Sequence, residues 1–545
     1  IRSIEGSFKK ERIDIVSALQ SFHATLGIDE EQREIREKLL SDDCFCVVTG
    51  QQLAWYGGPL YTFFKLISTI LKAKEISKVT GKTIVPVFWL ADEDHDYDEI
   101  NTSTWYEWKS QINSQATNKQ SICHRISSDS LACGNEHDER QLEDEKGKPV
   151  SQIMSDVDDF KEQLRNFLTR EYLQDPGANV SSQEELESFF HVDTHVKEAF
   201  ELISGCYHST SNHAQNFVRW LLSQFPNQGI LIAGSHDPAL KRYLQPVIQQ
   251  ALERHPQITA ELKNQSSKIE KIGFRAQVAV MDSQWFMMNS EAKRVKLQLS
   301  ADGGYDYREG SSIKHITEDQ LLEMIQRTPE RLSPNALMRP LLQEFLLPVC
   351  AYVGGPAEIA YHAQIKGVFD SFGRDLPVLI PRLSASIRES HILKSMQELP
   401  FQFEDYASDF TELKKRFMTL QKDSNVMDDY EEFKQWLSTQ FISKIDDYTQ
   451  MDVTLRASYE KTGAKMADVF GYFQQKLNKS LELKHSDQLR KIRIVQEYLF
   501  PNGPMERVLT PAYFIMRYGI SFWQQLAQEL EHIEIDIDGH YVIDV

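Results

Sequence analysis

The chain has 545 residues, enough for several structural units, and its 41% hydrophobic and 26% charged residues are those of a folded globular protein. That composition excludes a disordered, collagen-like or low-complexity chain. Acidic residues outnumber basic ones by 80 to 60, a formal charge of −20 at pH 7, which argues against a protein that tracks nucleic-acid phosphates or an anionic membrane but allows a small anionic ligand in a local basic pocket.

Residues 1–40 read as polar and helical, and the opening residues Arg2, Glu5, Lys9 and Lys10 form no apolar run, so no targeting segment is expected there. The run Cys44 to Val48, closed by Gly50, predicts a buried parallel strand. The uncharged stretch Cys44 to Phe64 is long enough to span a bilayer, but it contains Gln51-Gln52 and Gly57-Gly58-Pro59, which argues against a membrane helix. Pro59 is suited to a first helical position, with Leu60, Phe63, Phe64, Ile67, Ile70 and Leu71 following at helical spacing. A strand from Ile84 to Leu90 completes a βαβ unit, whose ligands bind beyond the carboxyl ends of the strands.

Residues 105–211 are polar and turn-rich, an insertion carrying helices. The sheet pattern returns with a strand at Gly229 to Gly234 and a helix through Leu240 and Val247. A second insertion, 258–330, has strand-like runs at Gln277 to Met281 and Gln284 to Met288. Residues 335–382 return to α/β: a helix around Leu341, a strand from Leu346 to Val353, the turn Gly354-Gly355-Pro356, a helix, and a strand from Leu376 to Ile380. The expectation is an α/β, Rossmann-like core over 1–385 and a helical domain over 386–545. From Phe401 to Phe500 there is no proline, and Tyr459, Thr462, Met466, Val469 and Phe473 recur in steps of three and four. That spacing predicts the seam of a helical hairpin or coiled coil, with Gly463 and Gly471 as its weak points.

The six cysteines, Cys44, Cys46, Cys123, Cys133, Cys206 and Cys350, show no paired spacing, so a reduced, cytoplasmic chain is expected. Cys123, His124, Cys133 and His137 match no common zinc spacing, and no protein metal site is expected.

Four clusters carry chemistry. In residues 47–68 a glycine-rich strand-to-helix turn brings backbone N–H groups and a helix start together, and Gln51 and Gln52 are not required by turn chemistry. In residues 84–99 an apolar strand runs straight into six carboxylates from Asp92 to Glu99 with His95 among them. At a strand's carboxyl end these can transfer protons, hold an amine or coordinate Mg²⁺, although mutual repulsion prevents all six from sharing one site. Residues 346–364 echo the first cluster, with Gly354, Gly355, Glu358, Tyr361 and His362; Glu358 equally suits a plain helix-dipole role. Arg339 and Arg382 flank that unit and suit bidentate pairing with an anion. In residues 499–519, Asn502 and Arg507, with Tyr513 and Arg517, supply groups for a nucleotide.

These clusters, GQQ…GGPLYT, FWLADEDHDYDE, YVGGPAEIAY with the following IPR, and LFPNGPMER, resemble the BshC family, named as cysteine ligases of bacillithiol biosynthesis. The resemblance runs from about residue 45 to the C-terminus. It implies a nucleotidyltransferase-type Rossmann core with two connecting insertions, followed by an α-helical coiled coil that forms a homodimer. It implies ATP, with Mg²⁺, as cofactor, and L-cysteine and glucosaminyl-malate as substrates joined through an amide bond. In that scheme Glu93, Asp94, His95 and Asp96 are catalytic. Gln51, Gln52, Gly57, Gly58, Gly354, Gly355, Glu358, Tyr361, Arg339 and Arg382 bind substrate, and Asn502 and Arg507 bind nucleotide. The His-x-Gly-His turn and Lys-Met-Ser-Lys-Ser loop of class I synthetases are absent from the sequence, so the nucleotide has to be held by other groups. The alternatives are a ligase that activates an amino acid for another acceptor and a non-enzymatic coiled-coil scaffold of the thiol pathway.

Overall fold

A computed structural model of the protein describes residues 11–93, 100, 102–106, 123–127, 157–158, 161–165, 194–421, 425–532 and 539–545. They divide into two compact units, one made of residues up to 385 with 506–541, the other of 386–505 with 542–545.

The first unit is built on a five-stranded sheet. After helix α1 (Arg12–Leu26), strand β1 (Cys44–Gln51) is followed by α2 (Tyr61–Thr80) and β2 (Thr83–Leu90). Next come β3 (Leu231–Ala233) with α3 (Pro238–Glu253), α4 (Arg339–Leu346) with β4 (Val349–Gly354), and α5 (Pro356–Ser371) with β5 (Val378–Pro381). The strands lie in the order β5-β4-β1-β2-β3, all parallel. Read from the other edge this is 3-2-1-4-5, the doubly wound Rossmann order, whose direction reverses between β1 and β4. β1 is apolar along its length because helices cover both faces, and seven of its eight residues are buried. Its register with β2 runs without interruption from Cys44 opposite Thr83 to Gln51 opposite Leu90. Gln51 therefore ends up at the carboxyl edge of the sheet.

α2 begins at Tyr61, two residues later than Pro59 predicts, because the chain first makes a tight turn through Trp55–Gly57 and the Leu60 N–H donates to the Leu509 carbonyl at 2.8 Å. Its first half is buried on all sides, Lys65 included, as expected of a helix that crosses a core rather than a surface. It stops at Gly81, which adopts φ 68° and closes the last turn. Residues 277–281, expected as a strand, are irregular; Val278 is instead pinned by Gln364, whose amide accepts from its N–H and donates to its carbonyl, both at 2.9 Å. β4 starts at Val349, three residues after the predicted Leu346, because α4 runs through Leu346.

In the second unit the helices α6 (Asn425–Ser443) and α7 (Leu455–Lys484) are the long elements. α7 runs unbroken through Gly463 and Gly471. Gly463 serves close packing: a Cβ there would lie 3.4 Å from Phe441, whose ring stacks on Tyr459 with centroids 4.0 Å apart. Along α7 the half-buried positions include 459, 463, 466, 470, 474 and 477, a heptad-like seam facing α6. The predicted seam shares only Tyr459 and Met466 with it; Val469 and Phe473 are 65% and 54% exposed. Among the described residues no helix is long and apolar enough to cross a membrane.

Candidate functional site

The reversal of strand order between β1 and β4 leaves a crevice at their carboxyl ends, and a cavity of about 850 Å³ opens there. Its walls differ in charge. On the β1/β4 side the central group is Lys65, buried in α2, whose ammonium pairs with Glu358 at 2.6 Å and donates to the Gly50 carbonyl at 2.9 Å and to Gln51 Oε1 at 2.8 Å. Glu358 sits in the first turn of α5, where its other contacts come from the Gly355 N–H at 2.9 Å and the Tyr352 hydroxyl at 2.7 Å. Burial alone would raise the Glu358 carboxyl, but the Lys65 charge and these two donors hold it below the usual range. Burial pulls the Lys65 ammonium down, against the opposing pull of Glu358.

Arg339, at the start of α4, donates to the Tyr361 hydroxyl at 2.8 Å and forms no ion pair among the described residues. Gly50 serves the pairing with β2: a Cβ there would press on the Trp89 carbonyl at 3.0 Å and only touch the Arg339 guanidinium, at 3.5 Å. Arg507 is exposed on the same cavity and likewise forms no ion pair among the described residues. Arg382 also lines the cavity, yet both its terminal nitrogens go to the buried Glu506 carboxylate, at 2.9 and 2.7 Å. The guanidinium expected to neutralise a substrate is thus already neutralised by a protein carboxylate.

On the β2/β3 side the wall carries Asp92 and Glu93, and Arg294 also lines the cavity. Glu93 pairs with Lys241 from α3 and accepts from the Ser235 hydroxyl at 2.5 Å. Burial pushes its carboxyl up, but Lys241 and Ser235 bring it below the usual range. Asp92 accepts from the backbone N–H groups of Ser235 at 3.3 Å and His236 at 3.2 Å. Burial and the neighbouring Glu93 charge push the Asp92 carboxyl up to about 7. The cavity thus carries Lys65, Arg339 and Arg507 at one end and the Asp92–Glu93 carboxylate pair at the other.

The comparisons with known proteins agree with this architecture. Residues 2–170 and 177–383 match the model of the bacillithiol biosynthesis BshC N-terminal Rossmann-like domain, and residues 385–545 match that of the BshC C-terminal coiled-coil domain. The chain belongs to the BshC family. Relatives with the name "Putative cysteine ligase BshC" include those of Bacillus cytotoxicus, 26% identical over 521 residues, and Bacillus cereus, 26% over 533, each alignment covering 95% of this chain and 88% of the relative. The Bacillus mycoides relative is 26% identical over 536 residues, covering 98% of this chain and 90% of its own length.

In this BshC-family chain the cavity gathers Gln51, Gln52, Glu93, Arg339, Gly355, Glu358, Tyr361, Arg382 and Arg507 from elements far apart in sequence. Gly57 and Gly58 lie elsewhere. Both have positive φ and are walled in: a Cβ on Gly57 would come 2.7 Å from Phe63 and 3.0 Å from Trp220, and one on Gly58 would come 2.9 Å from Ala54. They shape the turn rather than the crevice. Gly354 is a buried β4 residue behind the wall. Asn502 is an exposed turn residue of the second unit with φ 58°. Asp94, His95 and Asp96 lie outside the described residues. The sequence reading missed Lys65, Ser235 and Lys241. Lys65 left a signal, a lone charge amid Phe63, Phe64, Leu66 and Ile67 on a helix that follows a glycine turn; Ser235 and Lys241 left none, because only the β2–β3 pairing brings them to Glu93.

Proposed function

We propose that the chain is an ATP-dependent ligase that joins the carboxylate of L-cysteine to the amine of glucosaminyl-malate, forming the amide bond of bacillithiol. The observation that carries this reading is the charge polarity of the cavity, with Arg339 and Arg507 holding no ion pair among the described residues at one end and Asp92 and Glu93 at the other. A carboxylate must be activated before an amine attacks it, and ATP supplies the activating phosphoryl or nucleotidyl group. Arg339 and Arg507 suit its phosphates or the malate carboxylates, since a guanidinium not paired with a protein carboxylate keeps donors for a ligand. Mg²⁺ enters in this reading with the nucleotide. Glu93, with Asp94, His95 and Asp96 after it, remains the proposed acid–base segment, and Gln51, Gln52 and Tyr361 bind substrate. Holding the two partners in register can lower the barrier by about 7–11 kcal/mol.

The protein acts in the cytoplasm as a homodimer in this proposal. Support for the dimer comes from the apolar residues that α6 and α7 leave uncovered: Trp436, Val469, Tyr472 and Phe473 are each more than half exposed. The direct test is mass spectrometry of low-molecular-weight thiols in cells with and without the gene, paired with reconstituted ligation of cysteine to glucosaminyl-malate. Loss of bacillithiol with accumulation of glucosaminyl-malate is expected. Unchanged bacillithiol on deletion, in a cell that makes it, overturns the reading.

A further inference from the structure

Asp92 and Glu93 are adjacent in sequence, yet their surroundings divide the work between them. Glu93 is held by the Lys241 ammonium and the Ser235 hydroxyl. Lys241 is itself fixed, its Nζ donating to the Leu332 carbonyl at 2.8 Å. Asp92 is aimed by two backbone N–H groups, those of Ser235 and His236, at the start of α3. Gly234 makes room for it: a Cβ at that position would press on the Asp92 carboxylate, 3.1 Å from its Cγ, with Phe22 at 3.1 Å on the far side. Asp92 also stands at a boundary. It lines the large cavity and, with Leu90, a second cavity of about 470 Å³ on its other side.

Resting on the ligase reading above, we propose that Asp92 is the group that removes a proton from the amine substrate, with the second cavity as the way by which that proton leaves. The step moves one proton and no electrons between centres. An N–H bond of the ammonium breaks, an O–H bond forms on the Asp92 carboxylate, and the nitrogen lone pair is left to attack the activated cysteine carboxyl. A buried residue that lines two cavities can take the proton from the substrate side and pass it to the other, so the proton need not pass the reacting atoms. Glu93 complements it, because an anion fixed by Lys241 attracts the ammonium and keeps Asp92 basic enough to act. The charged and titratable groups around Asp92 among the described residues include Glu93 beside it, His236, Asp237 and Lys241 from the β3–α3 segment, Arg294 on the large cavity, and Glu330 and Arg331 across the second cavity. Burial and Glu93 put the Asp92 carboxyl at about 7, where a proton acceptor works best near neutral pH.

The test is Asp92→Asn in the full-length protein, assayed with glucosaminyl-malate and, separately, with hydroxylamine, an acceptor that is largely unprotonated at neutral pH. The expected result is a fall in kcat of about 10²–10⁴-fold with glucosaminyl-malate, loss of the acidic limb of the pH–rate profile, and recovery of most of the deficit with hydroxylamine. In the wild type that limb should be present with glucosaminyl-malate and weak with hydroxylamine, a comparison that needs no variant. A limb that persists in D92N assigns the proton transfer to another group, such as His95, and overturns the inference. Equal losses with both acceptors make Asp92 a structural residue and overturn it too. A wild-type protein that consumes no ATP with cysteine and either acceptor overturns the ligase reading itself, whereas failure confined to the Asp92 variant leaves that reading standing.

Discussion

The two ends of the cavity use buried charge in opposite ways. At the β1/β4 end a complete ion pair, Lys65 with Glu358, is buried and satisfied by hydrogen bonds, and it frames Arg339, which pairs with no carboxylate among the described residues. At the β2/β3 end Lys241 pairs with Glu93, and Asp92 beside it accepts from the Ser235 and His236 N–H groups and shares its buried surroundings with that second carboxylate. The first arrangement holds positive charge ready for a ligand, and the second holds a carboxyl poised between its protonated and ionised forms. A buried pair costs desolvation that only full hydrogen bonding offsets, so the Lys65 pair is rigid scaffold, while burial and the Glu93 charge push the Asp92 carboxyl up to about 7.

The largest effect that would sharpen this contrast is on stability. Lys65→Met leaves Glu358 buried without its cation and should cost about 3–5 kcal/mol in urea unfolding, much of it recovered in the Lys65→Met/Glu358→Gln double variant. Equal loss in the single and double variants would mean that the pair is not the unit that matters. Next, Arg339→Ala should lower kcat/KM about 100-fold with little change in melting temperature, and Arg339→Lys should restore little, because a point charge does not replace a bidentate fork. Full activity in the alanine variant removes Arg339 from the site. Gly57→Ala, away from both ends, should cost about 1–3 kcal/mol of stability through its positive φ and its contact with Phe63, while the KM of the folded fraction stays unchanged. A raised KM would return the turn to the binding site.

The smallest effect concerns pH, and the two ends have opposite signs. Glu358 is held low, so its stabilising contribution is complete above the unfolded glutamate value of about 4.3 and is lost as pH falls through its folded value. Asp92 is held high, so its contribution is complete below the unfolded aspartate value of about 3.9 and is lost as pH rises through about 7. Melting curves should therefore show Asp92→Asn gaining on the wild type between about pH 4.5 and about pH 8, and Glu358→Gln losing its deficit only at the acid end. A wild-type-to-D92N difference that is the same at both pH values would refute the asymmetry.

Much of this chain was legible from local pattern. An eight-residue apolar run can bury both faces only inside a parallel sheet, so β1, β2 and the Rossmann alternation could be read in order, and the motifs at their ends indicated both the family and the side of the sheet where ligands bind. The steps of three and four along α7 likewise announced a helical hairpin or coiled coil, although only Tyr459 and Met466 of the expected seam lie on the observed one. Which glycines turn the chain and which face a ligand could not be read, because Gly57 and Gly355 look alike in sequence; only packing puts Phe63 and Trp220 around one and the cavity beside the other. The fate of each charge was also beyond local reading. Arg339 and Arg382 are equivalent as residue types, but Glu506, more than a hundred residues further on, occupies Arg382, whereas Arg339 forms no ion pair among the described residues. Hydrophobic period and turn chemistry act over a few residues and are written in the sequence, whereas burial, ion pairing and the resulting proton affinities depend on which distant strands and helices the sheet brings together.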